Sequence, residues 1–244
     1  MSVETGRKIV DYLLDQYERN DSDFINWNTR AVVLDFIGGE PLLEATLIEQ
    51  ICDYWFSECF HRDIPLAPFT RISFATNGQL WFSSEAQHLI EKYHDLMSIT
   101  ISIDGVQDLH DMYRLDEHGN GSFVKAWTAF QDGKRRFGWA NSKMTFVPGS
   151  FPYISDSLKM MLDEGCSDVA CNYAYEPVYT PADGRSLYEQ LKIVSDYIVD
   201  NKLDVVVTIL DSLLGGKAKD DKNFCGGTGA MLSFAPDGSA YPCI

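Results

Sequence analysis

Short apolar runs alternate with longer segments of helical periodicity along this sequence, and the alternation restricts the fold more than any other feature. Residues 31–37 (AVVLDFI) have the composition of a buried strand, and residues 41–60 then place apolar side chains at helical spacing. The same order repeats as far as the apolar run at 204–210 (DVVVTIL). Repeated strand and helix pairs predict the α/β class with a mainly parallel sheet. Both an open doubly wound sheet and a barrel would show this alternation.

The periodicity also gives approximate bounds for each element. Strands are predicted at residues 31–37, 71–75, 98–103, 143–147, 168–173 and 204–210, and helices at 3–17, 41–60, 84–93, 122–137, 154–164 and 185–201. The helix predicted at 3–17 has no strand in front of it. A first strand is therefore expected to be missing.

A polar, glycine-rich segment at 215–221 (GGKAKDD) predicts a linker. We therefore expect one domain over residues 1–214, followed by a linker and the beginning of a smaller unit over 215–244. Within that unit, residues 231–235 are predicted to form a strand and 236–238 (PDG) its turn, so a hairpin is expected.

The charge balance bears on possible partners. Twenty basic and 36 acidic side chains give a formal net charge of −16, which disfavours a nucleic-acid phosphate track. No apolar run approaches the roughly 18 residues that a membrane span needs, and the first residues lack the basic flank and apolar stretch of a signal peptide. We expect a cytoplasmic protein that binds neither nucleic acid nor membrane.

Six cysteines in a chain of this class suggest reduced thiols, metal ligands or core residues more than a disulfide scaffold. Cys52 and Cys59 lie seven residues apart in a predicted helix, so burial is the simpler interpretation. Cys166 and Cys171 flank a predicted strand. No cysteine triplet with C-x3-C-x2-C spacing is present.

The sharpest local motif is Gly38-Gly39-Glu40-Pro41, placed where a predicted strand ends and a helix begins. Ligands of α/β proteins usually bind at this end of the strands. Two glycines let the backbone approach a ligand closely, and Pro41 is expected to hold Glu40 extended and to open the helix. Backbone carbonyls and a carboxylate would suit an ammonium group. On its own, the glycine pair favours an ordinary strand-to-helix turn over a ligand site.

Further motifs follow in a characteristic order. They are Thr76-Asn77-Gly78, Ser102-Ile103-Asp104-Gly105, Leu109-His110-Asp111-Met112-Tyr113-Arg114 and Gly119-Asn120-Gly121-Ser122-Phe123. With the Gly38–Pro41 motif, their order and spacing resemble the radical S-adenosylmethionine (radical SAM) enzymes that carry a SPASM or twitch extension, such as sulfatase-maturing enzymes and peptide maturases. The resemblance implies a partial (β/α)6 radical SAM barrel that lacks its first strand, followed by the start of a SPASM or twitch hairpin unit.

The resemblance also implies roles for individual residues. Gly38, Gly39, Glu40 and Pro41 match the motif that binds the methionyl amino group of S-adenosylmethionine. Ser102 and Arg114 match positions expected near the carboxylate or ribose of the cofactor, and a planar guanidinium suits a carboxylate. For Asp104, His110 and Asp111, hydrogen bonds that cap helices and fix loops are at least as well supported as ligand contact, and His110 is interpreted as structural.

Cys225 and Cys243, the latter ending a G-x4-C element that begins at Gly238, match the first ligands of an auxiliary iron-sulfur cluster in such a domain. Thiolates are the usual ligands of 4Fe-4S clusters, but two are too few to hold one. The triplet that would hold the catalytic 4Fe-4S cluster is absent. In the family it precedes a helix opening with a phrase like Met1-Ser2-Val3-Glu4-Thr5, so the expectation is that the first strand and cluster loop lie upstream of Met1.

The resemblance implies that the intact protein would accept an electron from a donor such as flavodoxin or ferredoxin, generate a 5′-deoxyadenosyl radical and abstract hydrogen from a peptide or protein. This chain alone is expected to be inactive. Sulfatase-maturing members carry an acidic residue directly after the G-x4-C cysteine, where this chain has Ile244. That departure favours a peptide maturase forming thioether or carbon–carbon crosslinks. The alternatives are a sulfatase-maturing type, a cluster-less binding or partner relative, and an unrelated α/β barrel such as a hydrolase.

Overall fold

The computed structural model describes residues 1–19, 31–138, 141–210 and 231–242. Over these ranges the strands are β1 (Val32–Phe36), β2 (Thr70–Thr76), β3 (Met97–Ser102), β4 (Ser142–Phe146), β5 (Asp168–Tyr173) and β6 (Val206–Val207), with β7 (Ser233–Phe234) and β8 (Ala240–Tyr241) near the end of the chain. Strands β1 to β6 form one sheet in sequence order. The pairs β1–β2, β3–β4, β4–β5 and β5–β6 run parallel. The predicted α/β class and its parallel sheet are confirmed.

Helices separate the strands. They are α1 (Val3–Glu18), α2 (Ala45–His61), α3 (Ser84–Lys92), α4 (Gln107–Tyr113), α5 (Phe123–Phe137), α6 (Ile154–Asp163) and α7 (Pro181–Asp200). Most bounds agree with the periodicity to within one or two residues. Helix α7 begins four residues earlier than predicted because Thr180 and Asp183 cap its first turn reciprocally, and Pro181 is tolerated there.

Two differences from the sequence prediction have physical causes. Helix α4 was not predicted, since its seven residues are too short for a clear helical period. The strand predicted at 204–210 is wrong in its second half, where Thr208–Leu210 forms a 3₁₀ turn. There the Thr208 hydroxyl accepts from the Cys171 backbone N–H at 2.7 Å and donates to the Cys171 carbonyl at 2.6 Å, so side-chain bonds replace the ladder.

The chain divides into two compact units. Unit 1 comprises residues 1–74, 83–98 and 217–244, and unit 2 comprises 75–82 and 99–216. The domain boundary predicted near residue 215 remains a prediction. Among the described residues no helix is both long and apolar enough to cross a bilayer.

Unit 1 has its core where α1 and α2 pack together. The fully or nearly buried members of this core are Val10, Leu14, Ile51, Trp55, Cys59, Ile64 and Leu66. One face of β1 packs against the core through Val32, Leu34 and Phe36, while the alternate residues are exposed. At the surface of the unit the Arg62 guanidinium joins both helices, bonding Asp11 at 2.6 Å and Asp15 at 2.7 Å.

Strands β7 and β8 also belong to unit 1 and form an antiparallel pair. The turn between them contains Gly238 at φ +90°, a left-handed conformation that glycine adopts without strain. The hairpin predicted from the strand at 231–235 and the turn at 236–238 is therefore present, with a shorter first strand. Its assignment to a SPASM or twitch domain remains a prediction, and the proposed ligands Cys225 and Cys243 lie outside the described residues.

Unit 2 is built on β4 and β5, with β6 at one side. Buried and more exposed residues alternate along β4 and along the first five residues of β5, so that one face carries buried apolar side chains such as Met144, Phe146 and Val169. Helix α6 packs against α7 and β5 and contributes Leu158 and Met161 to the buried interior. The opposite face is polar and partly exposed, whereas parallel sheets are usually buried on both faces. This polar face is therefore a candidate binding surface.

Candidate functional site

The Gly38–Pro41 segment follows β1 directly and leads into a 3₁₀ turn at Pro41–Glu44 that precedes α2. Glu40 is extended (φ −148°, ψ 108°), and its side chain accepts a hydrogen bond from the Leu42 backbone N–H at 3.1 Å. Pro41 is buried at the first position of the turn. The expected local conformation is thus confirmed: proline keeps Glu40 extended and opens the helical segment.

Gly38 and Gly39 are exposed. A Cβ atom built on either glycine would meet no heavy atom of the described residues within 4 Å. The backbone of this segment therefore faces open space, where a ligand can approach it without a side chain in between.

In unit 2, the residues after β3 form a brace around Asp104. Its carboxylate accepts from Arg114 Nε at 2.5 Å and Nη2 at 3.2 Å, and from the Thr145 backbone N–H at 3.1 Å. Asp104 is only 6% exposed. The negative charge of the buried Asp104 carboxylate is therefore balanced by the two hydrogen bonds from the Arg114 guanidinium and the one from the Thr145 backbone. Arg114 is therefore placed at the end of α4 as the counter-ion of Asp104.

His110 is the second member of this brace and is 1% exposed. Its Nδ1 accepts from the Asp104 backbone N–H at 3.3 Å, and its Nε2 lies 3.0 Å from the Ser122 hydroxyl, which donates to the Arg114 carbonyl at 2.9 Å. These roles fit a neutral ring protonated at Nε2. Burial lowers the pKa of His110, outweighing the opposing effect of Asp104. The interpretation of His110 as structural is confirmed.

Asp111 also has a structural contact. Its Oδ1 accepts from the Phe123 backbone N–H at 2.8 Å, at the first residue of α5. Gly121 must be glycine here, because a Cβ at that position would lie 2.2 Å from the Asp111 Cγ. The H-D-x-x-R and G-x-G-S-F motifs thus hold each other in place.

The Thr76-Asn77-Gly78 motif begins at the last residue of β2 and lies in unit 2. Thr76 Oγ1 accepts from the Gly78 N–H at 3.1 Å, and Asn77 Oδ1 accepts from the Gln79 N–H at 2.9 Å. Gln79 Nε2 then donates to the Ser122 carbonyl at 3.1 Å. Gly78 has φ +75° and packs against α5, where a Cβ would lie 3.0 Å from the Ala126 backbone. Both positive φ and close packing call for glycine.

The polar face of unit 2 includes Ser102, the predicted cofactor residue on β3. Ser102 is opposite Lys143 of β4 in the parallel register, and Thr145 is opposite Asn172 of β5. Registered residues project to the same face of a sheet. Lys143 and Asn172 are exposed, whereas Ser102 and Thr145 are half-buried.

Sequence reasoning missed Lys143 and Thr145. The available signal was the alternation of polar and apolar residues in Ser142-Lys143-Met144-Thr145-Phe146, which places both on the face opposite the core. Of the predicted cofactor residues, Ser102 and Arg114 belong to unit 2, and Gly38, Gly39, Glu40 and Pro41 belong to unit 1.

The described cysteines do not form a metal site. Across the described ranges, no group of three or more His, Cys, Asp or Glu side chains is arranged to hold a metal ion. Cys52, Cys59, Cys166 and Cys171 are free and buried. Burial raises the pKa of Cys52 to about 12 and the pKa values of Cys59 and Cys166 to about 11, and it also raises the pKa of Cys171. Burial of these thiols was predicted for Cys52 and Cys59 and is confirmed.

Comparison with solved structures identifies the fold. The anaerobic sulfatase-maturing enzyme anSMEcpe with bound AdoMet matches over 100% of this chain, with a TM-score of 0.72 and 21% identity. The same enzyme with AdoMet and the Cp18Cys peptide matches with a TM-score of 0.69 and 20% identity, again over 100% of this chain. Streptococcus suis SuiB bound to S-adenosylmethionine matches over 87% of it, with a TM-score of 0.60 and 14% identity.

Both relatives are radical SAM peptide-modifying enzymes with SPASM domains. The chain covers 65% and 66% of the two anSMEcpe chains and 49% of the SuiB chain. No protein-family model and no curated protein matches the sequence. The chain therefore has the fold of part of these radical SAM enzymes.

Proposed function

We propose that this chain is the S-adenosylmethionine-binding part of a radical SAM enzyme that modifies a peptide or protein. The observation that carries the proposal is the match over the whole chain to an enzyme solved with bound AdoMet. The motifs add support, since Gly38–Pro41 follows β1 as the resemblance requires.

Each unit, taken by itself, carries groups whose chemistry suits S-adenosylmethionine. In unit 1, no described residue comes within 4 Å of a Cβ built on Gly38 or Gly39, and the open backbone there fits an ammonium bound by carbonyl oxygens. On the polar face of unit 2, hydroxyl and cationic donors suit a carboxylate. Glu40 contributes its extended conformation and the bond to Leu42 that fixes the turn.

Arg114 has a narrower role in this proposal than the resemblance alone implies. Two of its donors bind Asp104, so its main task is to hold the end of β3, where Ser102 lies, against β4. Its side chain is 32% exposed, so the guanidinium edge that does not bind Asp104 is proposed to contact a ribose oxygen of the cofactor and not its carboxylate.

Bound S-adenosylmethionine, reduced by an iron-sulfur cluster, would supply the radical that abstracts hydrogen from the substrate. The described residues do not fit such a cluster, and the sequence lacks the C-x3-C-x2-C triplet, so no step through a cluster is assigned to this chain. Cys225 and Cys243 are proposed as auxiliary 4Fe-4S ligands, and a flavodoxin or ferredoxin as the electron donor. The substrate is proposed to be a peptide crosslinked through a thioether or carbon–carbon bond, because Ile244 follows Cys243.

The test is calorimetric titration of the full chain with S-adenosylmethionine. We expect saturable binding that weakens at least about tenfold, or about 1.4 kcal/mol, in Gly38→Val and Gly39→Val, because each added side chain fills the open space before the backbone. Gly184→Val is the matched control, since a Cβ there also meets nothing within 4 Å but the residue lies in α7. Absence of binding in the parent chain, or equal binding by all three variants, would overturn the proposal.

A further inference from the structure

Arg114, the cation that the sequence predicted for the cofactor, is bound to Asp104 instead. Arg114 was expected near the carboxylate or ribose of the cofactor, but its Nε and Nη2 atoms both donate to Asp104. Asp104 is buried and holds a second donor, the Thr145 N–H, so the pair is fixed within the protein. Releasing Arg114 to a ligand would leave a buried carboxylate without its counter-ion, which is costly.

Lys143 lies on the same strand as Thr145, two residues earlier. It is directly opposite Ser102 in the β3–β4 register, and both project to the polar face. Lys143 is exposed. Within the described parts of the chain its ammonium forms no hydrogen bond or ion pair, in contrast to Lys92 or Lys134, which bind carboxylates.

A cation and a hydroxyl side by side are a suitable pair for a carboxylate. The Lys ammonium supplies charge and up to three donors, and the Ser hydroxyl supplies one further donor. Exposed lysines are common, but this one stands on the face of a parallel sheet rather than on the outside of a helix.

We infer that Lys143 and Ser102 together bind a carboxylate, and that Lys143 is its cationic partner in place of Arg114. The inference rests on the proposed function for the identity of one source, the methionyl carboxylate of S-adenosylmethionine. The other source with the same chemistry is an acidic side chain of the peptide substrate. Either source places Lys143 among the residues that determine binding on this face.

The experiment compares the parent chain with Lys143→Gln, Lys143→Arg and the control Lys125→Gln, an exposed lysine of α5. The cofactor arm measures binding of S-adenosylmethionine and of 5′-methylthioadenosine, which has no carboxylate. The peptide arm measures binding of an end-blocked peptide with three aspartates and of its triple-asparagine counterpart. Thermal midpoints of all variants show whether each is folded.

We expect Lys143→Gln to weaken binding at least about tenfold in one arm, as for a hydrogen bond to a charged group, while Lys143→Arg and Lys125→Gln stay near the parent. Weaker binding of S-adenosylmethionine but not of 5′-methylthioadenosine identifies the cofactor as the source. Weaker binding of the aspartate peptide alone identifies the substrate. If a folded Lys143→Gln binds every probe like the parent, the inference is wrong.

The two proposals fail in different ways. If the parent chain does not bind S-adenosylmethionine at all, the proposed function fails, and the peptide arm still tests Lys143. If the parent binds the cofactor and the Gly39→Val variant does not, but Lys143→Gln changes neither arm, only the present inference fails.

Discussion

Replacing Asp104 tests the brace that positions the end of β3. In Asp104→Ala, Arg114 loses both of its carboxylate contacts and the Thr145 N–H loses its acceptor. Breaking a buried ion pair from one side costs about 3–5 kcal/mol. Because the Arg114 side chain is 32% exposed, water can partly solvate its charge, and we expect a loss near the lower limit, about 3 kcal/mol.

Asp104→Asn separates the two contributions. The amide oxygen can still accept from Thr145, while the charge that holds Arg114 is lost, so we expect a cost of about 2 kcal/mol. Urea unfolding followed by tryptophan fluorescence gives the free energies, since Trp81 and Trp127 both lie in unit 2. The exposed Asp204→Ala is the control and should change stability by less than about 0.5 kcal/mol.

A double-mutant cycle shows whether the pair itself is responsible. Asp104→Ala combined with Arg114→Gln should cost less than the sum of the single changes by about 2 kcal/mol, because the uncompensated charge is removed. A loss below about 1 kcal/mol in Asp104→Ala, or strict additivity in the cycle, would refute the account of this brace.

Three further predictions concern packing, thiol reactivity and pH. Gly105→Ala should lower the free energy of urea unfolding by at least about 3 kcal/mol, because Gly105 has φ +146° and an added Cβ would lie 2.1 Å from Ser157 Oγ. Gly119→Ala is the control: Gly119 also has positive φ, but a Cβ there meets no described residue within 4 Å, so the cost should be only about 1–2 kcal/mol. Burial raises the pKa of Cys52 to about 12, so its thiol should resist iodoacetamide at pH 8 until the chain is unfolded. Peptide mass mapping measures the labelling, and rapid labelling of Cys52 in the native chain would contradict its burial. Burial lowers the pKa of His110, so the stability that the neutral ring contributes is complete above the ordinary pKa of 6.5 and is lost as the pH falls below that value. The urea midpoint of the parent chain should therefore decline between pH 7 and 5, and His110→Gln should flatten this decline. An unchanged slope in the variant would contradict the prediction.

Much of the fold follows from periodicity. Strands β2 to β5 and helices α1 to α6, apart from α4, carry patterns long enough for their bounds to be placed closely. Helix α4 is too short for this, and the Thr208 hydroxyl ends β6 through contacts that no linear pattern reveals. The Thr180 and Asp183 capping box was readable in the sequence and would have given the correct start of α7.

The motifs of the candidate site could be predicted from the sequence, but the contacts that their side chains make in the fold could not. The conformation of Glu40 and Pro41 follows from local chemistry, so sequence alone could supply it. The commitment of Arg114 to Asp104 depends on which carboxylate lies nearest in the folded chain. Likewise, the position of Lys143 opposite Ser102 depends on the β3–β4 register. Strand register is a tertiary property, so the sequence alone does not identify Lys143 as a binding residue.

Hydrogen–deuterium exchange of the full chain, with and without saturating S-adenosylmethionine, shows whether the Gly38–Pro41 segment contacts the cofactor. Binding at this segment predicts slower exchange in peptides covering residues 37–44, with little change in α7. Unchanged exchange at residues 37–44 in a chain shown to be saturated with cofactor, or protection confined to other elements, would contradict it.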